Sequence, residues 1–156
     1  AILTADGVDG EAVTAMKTAI EAAGGQVKII APHLGDVKAG KGKIKADQTY
    51  LTAASVVFDA VYVPGGKQSF AVLQDDGDAI HFIEEAYKHC KPVAADGEGV
   101  DLVNMSAVGS KIQRDGGSEK NNLTNGVVFN RPPKDFIKAI SQHRFWEREK
   151  AGKVPA

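Results

Sequence analysis

Asp59-Ala60-Val61-Tyr62-Val63-Pro64-Gly65-Gly66 is the stretch that decides the fold. Asp59 to Val63 is short and mostly apolar, with no polar alternation, which suits a strand buried on both faces. Such strands belong to parallel sheets covered by helices on either side. Pro64 and the two glycines end the run and leave a loop at the strand's carboxyl end. Further along, Lys91-Pro92 closes a helix, Val93-Ala94-Ala95 makes another short buried strand, and Asp96-Gly97 turns sharply into a second helical start.

Working outward, Ala1 to Ala5 reads as a strand and Asp6-Gly7 as a turn. Val13, Met16 and Ile20 then recur at helical spacing up to the stop at Gly24-Gly25. Gln26 to Ala31 is the next β-branched run, so this first unit is strand, helix, strand with a right-handed parallel crossover. Residues 36–45 form a small β-hairpin with a Gly40-Lys41-Gly42 tip, its lysines on a solvated face. Asp75, Asp76 and Asp78 cap a helix carrying Ile80, Ile83 and Tyr87 on one side. Gly109 to Gly126 reads as a polar, glycine-rich stretch and Val127-Val128-Phe129 as the last strand. Pro132-Pro133 opens a helix with Phe136, Ala139, Ile140 and His143 on one side. The expected fold is α/β: one doubly wound domain over residues 1–156, with a mostly parallel sheet and helices on both faces.

Composition narrows the function. Nineteen Lys and Arg against twenty acidic residues give no field of either sign, so neither a nucleic-acid partner nor an anionic membrane surface is expected. One cysteine, Cys90, excludes an internal disulfide, and the four histidines do not fall at zinc-ligand spacing. No apolar run approaches the roughly 18 residues of a membrane span. The opening residues read as a strand already under way, without an initiator methionine, so an excised piece of a longer protein is expected, with residues 151–156 as an extended tail. Sequons at Asn104 and Asn122 would fit surface loops of a secreted parent; a cytoplasmic one is the alternative.

In an open parallel sheet, chemistry gathers at the carboxyl ends of strands, here the loops at Asp6-Gly7, Gly65-Gly66 and Asp96-Gly97. A phosphate loop fails: Val61 stands where its first glycine belongs, and Gln68 follows Lys67 where Ser or Thr is needed. The dinucleotide fingerprint fails too, because Gly97-Glu98-Gly99 is followed by Leu102 where a third glycine is required. Acyl transfer needs a nucleophile on a tight strand-to-helix elbow above oxyanion donors, and Ala95-Asp96-Gly97 supplies the elbow.

Asp59 to Gly66 followed by Lys91 to Gly97 resembles the PfpI-type and class I glutamine-amidotransferase-like superfamily, whose fold is flavodoxin-like. The resemblance implies that Gly65 and Gly66 form the oxyanion loop and that a cysteine should occupy the elbow, tuned by a first-loop acid and a histidine. Asp96 stands at the expected cysteine position, and Val108 to Asp115 contains no histidine. Glu11 is the candidate acidic neighbour. Cys90, six residues before the elbow at a helix end, is expected to be a packed thiol. The elbow, its loop and Glu11 are therefore expected to be vestigial, with no catalytic, cofactor or metal residue in this chain.

Glu85 to Ala94 and His143-Arg-Phe-Trp-Glu-Arg148, leading to Lys153-Val-Pro-Ala156, narrow the resemblance to the terminal domain of large-subunit haem catalases, of the fungal type. That implies a parent dismuting hydrogen peroxide at haem, with the haem outside this chain. Tyr50, Tyr62 and Tyr87 lack the arginine context of an axial tyrosinate. The implied partners are the rest of the catalase chain and its homotetramer, with the tail docking on other subunits. Trp146 and Arg148 could equally be a helix end packed on its own sheet. Two further readings stand beside tetramer stabilisation: a chaperone-like module holding unfolding clients, and a residual hydrolase or deglycase.

Overall fold

The computed structural model describes residues 1–114 and 125–150. Its main sheet has six parallel strands: β1 (Ile2–Leu3), β2 (Ile29–Ala31), β5 (Gln48–Thr49), β6 (Val61–Val63), β7 (Val93–Ala95) and β8 (Val127–Phe129). Their spatial order is β5-β2-β1-β6-β7-β8, so β1 and β6 lie side by side at the centre where the winding reverses. The antiparallel hairpin is β3 (Gly35–Ala39) and β4 (Gly42–Ala46), with Val37 opposite Ile44.

Strand alternation sorts the core into two layers. Leu3, Ile30, Val61, Val63, Val93, Ala95 and Val127 share one buried cluster with α3 (Gly77–Lys88) and α4 (Glu98–Met105). Ile2, Ile29, Ala31, Tyr62, Ala94 and Val128 share the other with α1 (Gly10–Ala22), the hairpin, and α6 (Pro133–Ser141). The doubly wound architecture read from the sequence is the one found. Strand residues on both faces are buried because each face carries its own helices.

Several local readings differ. A helix, α2 (Lys67–Leu73), follows the Gly65-Gly66 loop at once, burying Ser69 and Leu73. The polar, glycine-rich stretch from Gly109 begins inside a helix, α5 (Ala107–Arg114), whose Val108 and Ile112 are buried. A one-turn helix at Ser55–Val57 and the short edge strand β5 carry too little periodicity to be seen in sequence. His143 lies beyond the end of α6, with φ +65°, and not on its face. The sequon at Asn104 sits in the last turns of α4, not in a loop, and the Ser106 hydroxyl donates to the Val103 carbonyl at 2.7 Å. The second sequon falls outside the described residues.

Candidate functional site

The loops after β1, β6 and β7 meet at the carboxyl edge of the sheet. The Asp9 backbone N–H donates to the Gly65 carbonyl at 2.9 Å, and the Asp96 N–H to the Val63 carbonyl at 3.1 Å. Gly66 has φ +126°, and a Cβ there would overlap the Gly7 carbonyl oxygen, so the first and second loops touch backbone to backbone. Gly99 is equally constrained: its Cβ would overlap the Val63 carbonyl oxygen, so only glycine lets α4 start against β6.

The elbow lies one residue later than the sequence suggests. Asp96 still follows the strand's bonding to Val63, and the left-handed residue is Gly97, at φ 52° and ψ −130°. That conformation is costly for any residue with a Cβ, which explains the glycine. The apex therefore carries no side chain, and Asp96 stands before it.

Three side chains close the site, none of them singled out from the sequence for that role. The Tyr62 hydroxyl donates to Asp96 Oδ2 at 2.7 Å. Burial, then the hydrogen bond and charge of Asp96, push the Tyr62 phenol well above its usual range. Glu98 Oε2 accepts the Gly66 N–H at 2.9 Å, and that bond holds the Glu98 carboxyl below its ordinary value. Asn130 Oδ1 accepts the Gly97 N–H at 2.8 Å, while the Asn130 N–H donates to the Ala95 carbonyl at 2.9 Å. Two backbone donors that could receive an oxyanion are thus already occupied by the chain's own oxygens. Glu98 was legible only as the middle of a failed Gly-x-Gly fingerprint; Tyr62 and Asn130 gave no local signal.

Glu11 lies in the exposed first turn of α1, whose N-terminus is capped by Asp9. It lines a cleft of about 930 Å³ together with the hairpin tip at Gly40 to Lys43. The carboxylate at the Gly65-Gly66 loop is Glu98. Cys90 sits at the far end of β7, beyond the last turn of α3. The Lys91 N–H bonds the Ala86 carbonyl and the Cys90 N–H the Tyr87 carbonyl, a Schellman end with Cys90 in the left-handed position at φ +58°. Its thiol is buried and its pKa raised, mainly by burial. Among the described residues, no group of three His, Cys, Asp or Glu side chains could hold a metal ion, and no helix is long and apolar enough to cross a membrane.

The C-terminal segment docks on that same end of α3. The Phe145 N–H donates to the Cys90 carbonyl at 2.8 Å. Arg148, buried, donates to the carbonyls of Asn125 at 2.6 Å and Lys91 at 2.7 Å, with its guanidinium 4.2 Å above the Tyr87 ring. Trp146 between them points outward, 63% exposed. A sequence profile of the C-terminal domain found in long catalases matches residues 1–150. The chain belongs to that family. This long-catalase domain is 37% identical over 164 residues to catalase HPII of Mycobacterium avium, covering 100% of the chain and 23% of the relative. Against catalase HPII of Pseudomonas aeruginosa it is 37% identical, covering 100% and 21%. Against catalase-1 of Neurospora crassa it is 31% identical, covering 97% and 23%. The chain thus spans under a quarter of these relatives' length.

Among solved structures, DJ-1 of Schizosaccharomyces pombe superposes with a TM-score of 0.70 at 16% identity, over 99% of this chain and 98% of that one. A ThiJ/PfpI domain protein from Brachyspira murdochii gives 0.68 at 18% identity, over 91% of each. These likenesses establish the flavodoxin-like fold.

Proposed function

We infer that this domain is the non-catalytic terminal module of a large haem catalase and that it stabilises the parent's tetramer. The observation that carries the reading is the closed elbow: Gly97 at the apex has no nucleophile, and Glu98 and Asn130 occupy the backbone donors beside it. The family's own description supplies the parent. Hydrogen peroxide dismutation belongs to the parent's haem. The tyrosines here do not suit a haem ligand: Tyr50 gives its hydroxyl to the Thr4 carbonyl at 3.1 Å, Tyr62 gives its own to Asp96, and Tyr87 packs under Arg148. Residual hydrolysis has no attacking group at the elbow to rest on.

Deleting residues 1–156 from the parent tests this. The expected result is peroxide turnover kept at low temperature, with a lowered unfolding temperature and earlier subunit dissociation. A truncated tetramer as heat-resistant as the parent would refute the stabilising role.

A second reading, a chaperone-like module that holds unfolding clients, draws on the exposed Leu51, Val56, Val57 and Trp146. Its test is suppression of light scattering by an unrelated heat-denatured protein at near-stoichiometric ratio.

A further inference from the structure

Three exposed apolar side chains lie together at the amino edge of the sheet, opposite the elbow. Val56 and Val57, 71% and 69% exposed, form the turn before β6. Val56 and Trp146 line one small cleft of about 200 Å³ with Lys91 and Arg144. Val57 lines a second of about 530 Å³ with Ala1, Ile20, Phe58, Phe136 and Ile140. The two clefts are therefore flanks of one continuous surface, tied across by Arg144 reaching Asp59 at 3.5 Å. Lys91, only 2% exposed, donates to the Ser55 carbonyl at 2.6 Å, and Glu149 joins it and Arg144 in lining the smaller cleft. Valines in a one-turn helix and a tryptophan between buried Phe145 and buried Arg148 cannot readily fold back to hide themselves.

We propose that this amino-edge face is the seat on which the domain docks, through its exposed apolar side chains, against the catalase body of its own polypeptide. This rests on the reading of the chain as the terminal module of a long catalase. In such relatives more than three quarters of the chain lies outside the matched region, and the family's module is C-terminal, so that body joins at the domain's amino end. The amino end of β1, the first strand of the matched region, lies on this edge, and Ala1 lines the larger cleft. At the elbow edge, by contrast, the Gly66 and Gly97 N–H groups are already bonded within the domain.

Native full-length catalase carrying Val57→Cys, or Leu51→Cys as control, tests this by maleimide labelling. Leu51, just after β5, is 83% exposed and lines neither cleft. Labelling at position 57 should be at least ten-fold slower than at 51, and a photo-crosslinker placed there should join peptides of the same polypeptide's catalase body. Equal rates would overturn the proposal, as would crosslinks to a second polypeptide alone. Hydrogen exchange on the unsubstituted enzyme gives the same comparison without a variant: backbone amides at 55–58 should be slower in the full chain than in the isolated domain, and unchanged protection counts against the seat. Slow labelling with a truncated enzyme of undiminished stability would keep the seat and discard the stabilising role. Fast labelling with a destabilised truncation would do the reverse.

Discussion

Glu98 and Gly66 meet across the two loops that would frame a reaction centre: the carboxylate oxygen lies 2.9 Å from the backbone nitrogen and accepts its N–H. An N–H that could stabilise a developing oxyanion instead serves a resident carboxylate. The contact also fastens the start of α4 to the loop before α2, so the elbow works here as a structural joint.

That joint should weaken in acid. The Gly66 bond, with help from the Glu98 amide and nearby Lys67, holds the carboxyl below its ordinary value. A depressed folded pKa contributes stability that is present above the unfolded value, about 4.3 for Glu, and lost as pH falls through the folded one. The expected advantage over Glu98→Gln is largest near neutrality and is lost as the pH falls below the unfolded value and through the depressed folded one. Urea titrations of both proteins across that range check it; a gap independent of pH would rule the contact out as the cause.

Two tyrosines predict the alkaline behaviour. Burial raises Tyr50 well above its usual range, and burial with the Asp96 bond raises Tyr62. The folded state keeps protons that the unfolded chain sheds above about pH 10, so stability should fall as pH rises beyond that point. Ultraviolet titration should show Tyr50 and Tyr62 ionising only in step with loss of the circular-dichroism signal. Smooth ionisation of all three tyrosines before unfolding would contradict the packing.

Gly99 tests the fit of α4 on β6. An alanine there would drive its Cβ into the Val63 carbonyl, a backbone atom that cannot step aside, and should cost about 2–3 kcal/mol or more. Gly77, where an added methyl would meet nothing within 4 Å and the backbone is already helical, is the control. Gly77→Ala should be neutral or stabilise by about 0.4–1 kcal/mol. Equal effects at the two positions would mean that α4 is not seated as described.

The sequence made the sheet legible because its strands are short, apolar and bounded by Pro and Gly. Val61 to Val63 and Val93 to Ala95 have few other readings. It placed the elbow within one residue of its apex, and the error has a physical source: Asp and Gly both tolerate left-handed backbone, and only the Asp96 N–H bond to Val63 shows that the strand runs one residue further. What closes the site was not legible. Asn130 reaches Gly97 from 33 residues away, and Tyr62 reaches Asp96 from 34, across neighbouring strands whose register no local pattern reveals. Helix α2 escaped notice because seven residues give too few turns for periodicity to rise above chance.

Arg148 and Trp146, two residues apart, should give opposite results. The Arg148 guanidinium spans the carbonyls of Asn125, Lys91 and, at 3.3 Å, Tyr87, tying the end of α3 to the segments before β7 and β8. Removing it leaves those acceptors buried beneath a void, so Arg148→Ala should cost about 2–4 kcal/mol. Arg148→Lys should recover little, because a single ammonium cannot reproduce the planar fork. Trp146 projects into solvent, and Trp146→Ala in the isolated domain should stay within about 0.5 kcal/mol of the parent sequence. Urea unfolding of the three variants decides the matter. A Trp146→Ala loss as large as that of Arg148→Ala would mean that the tryptophan folds inward, and the outward aromatic on the amino edge would no longer exist.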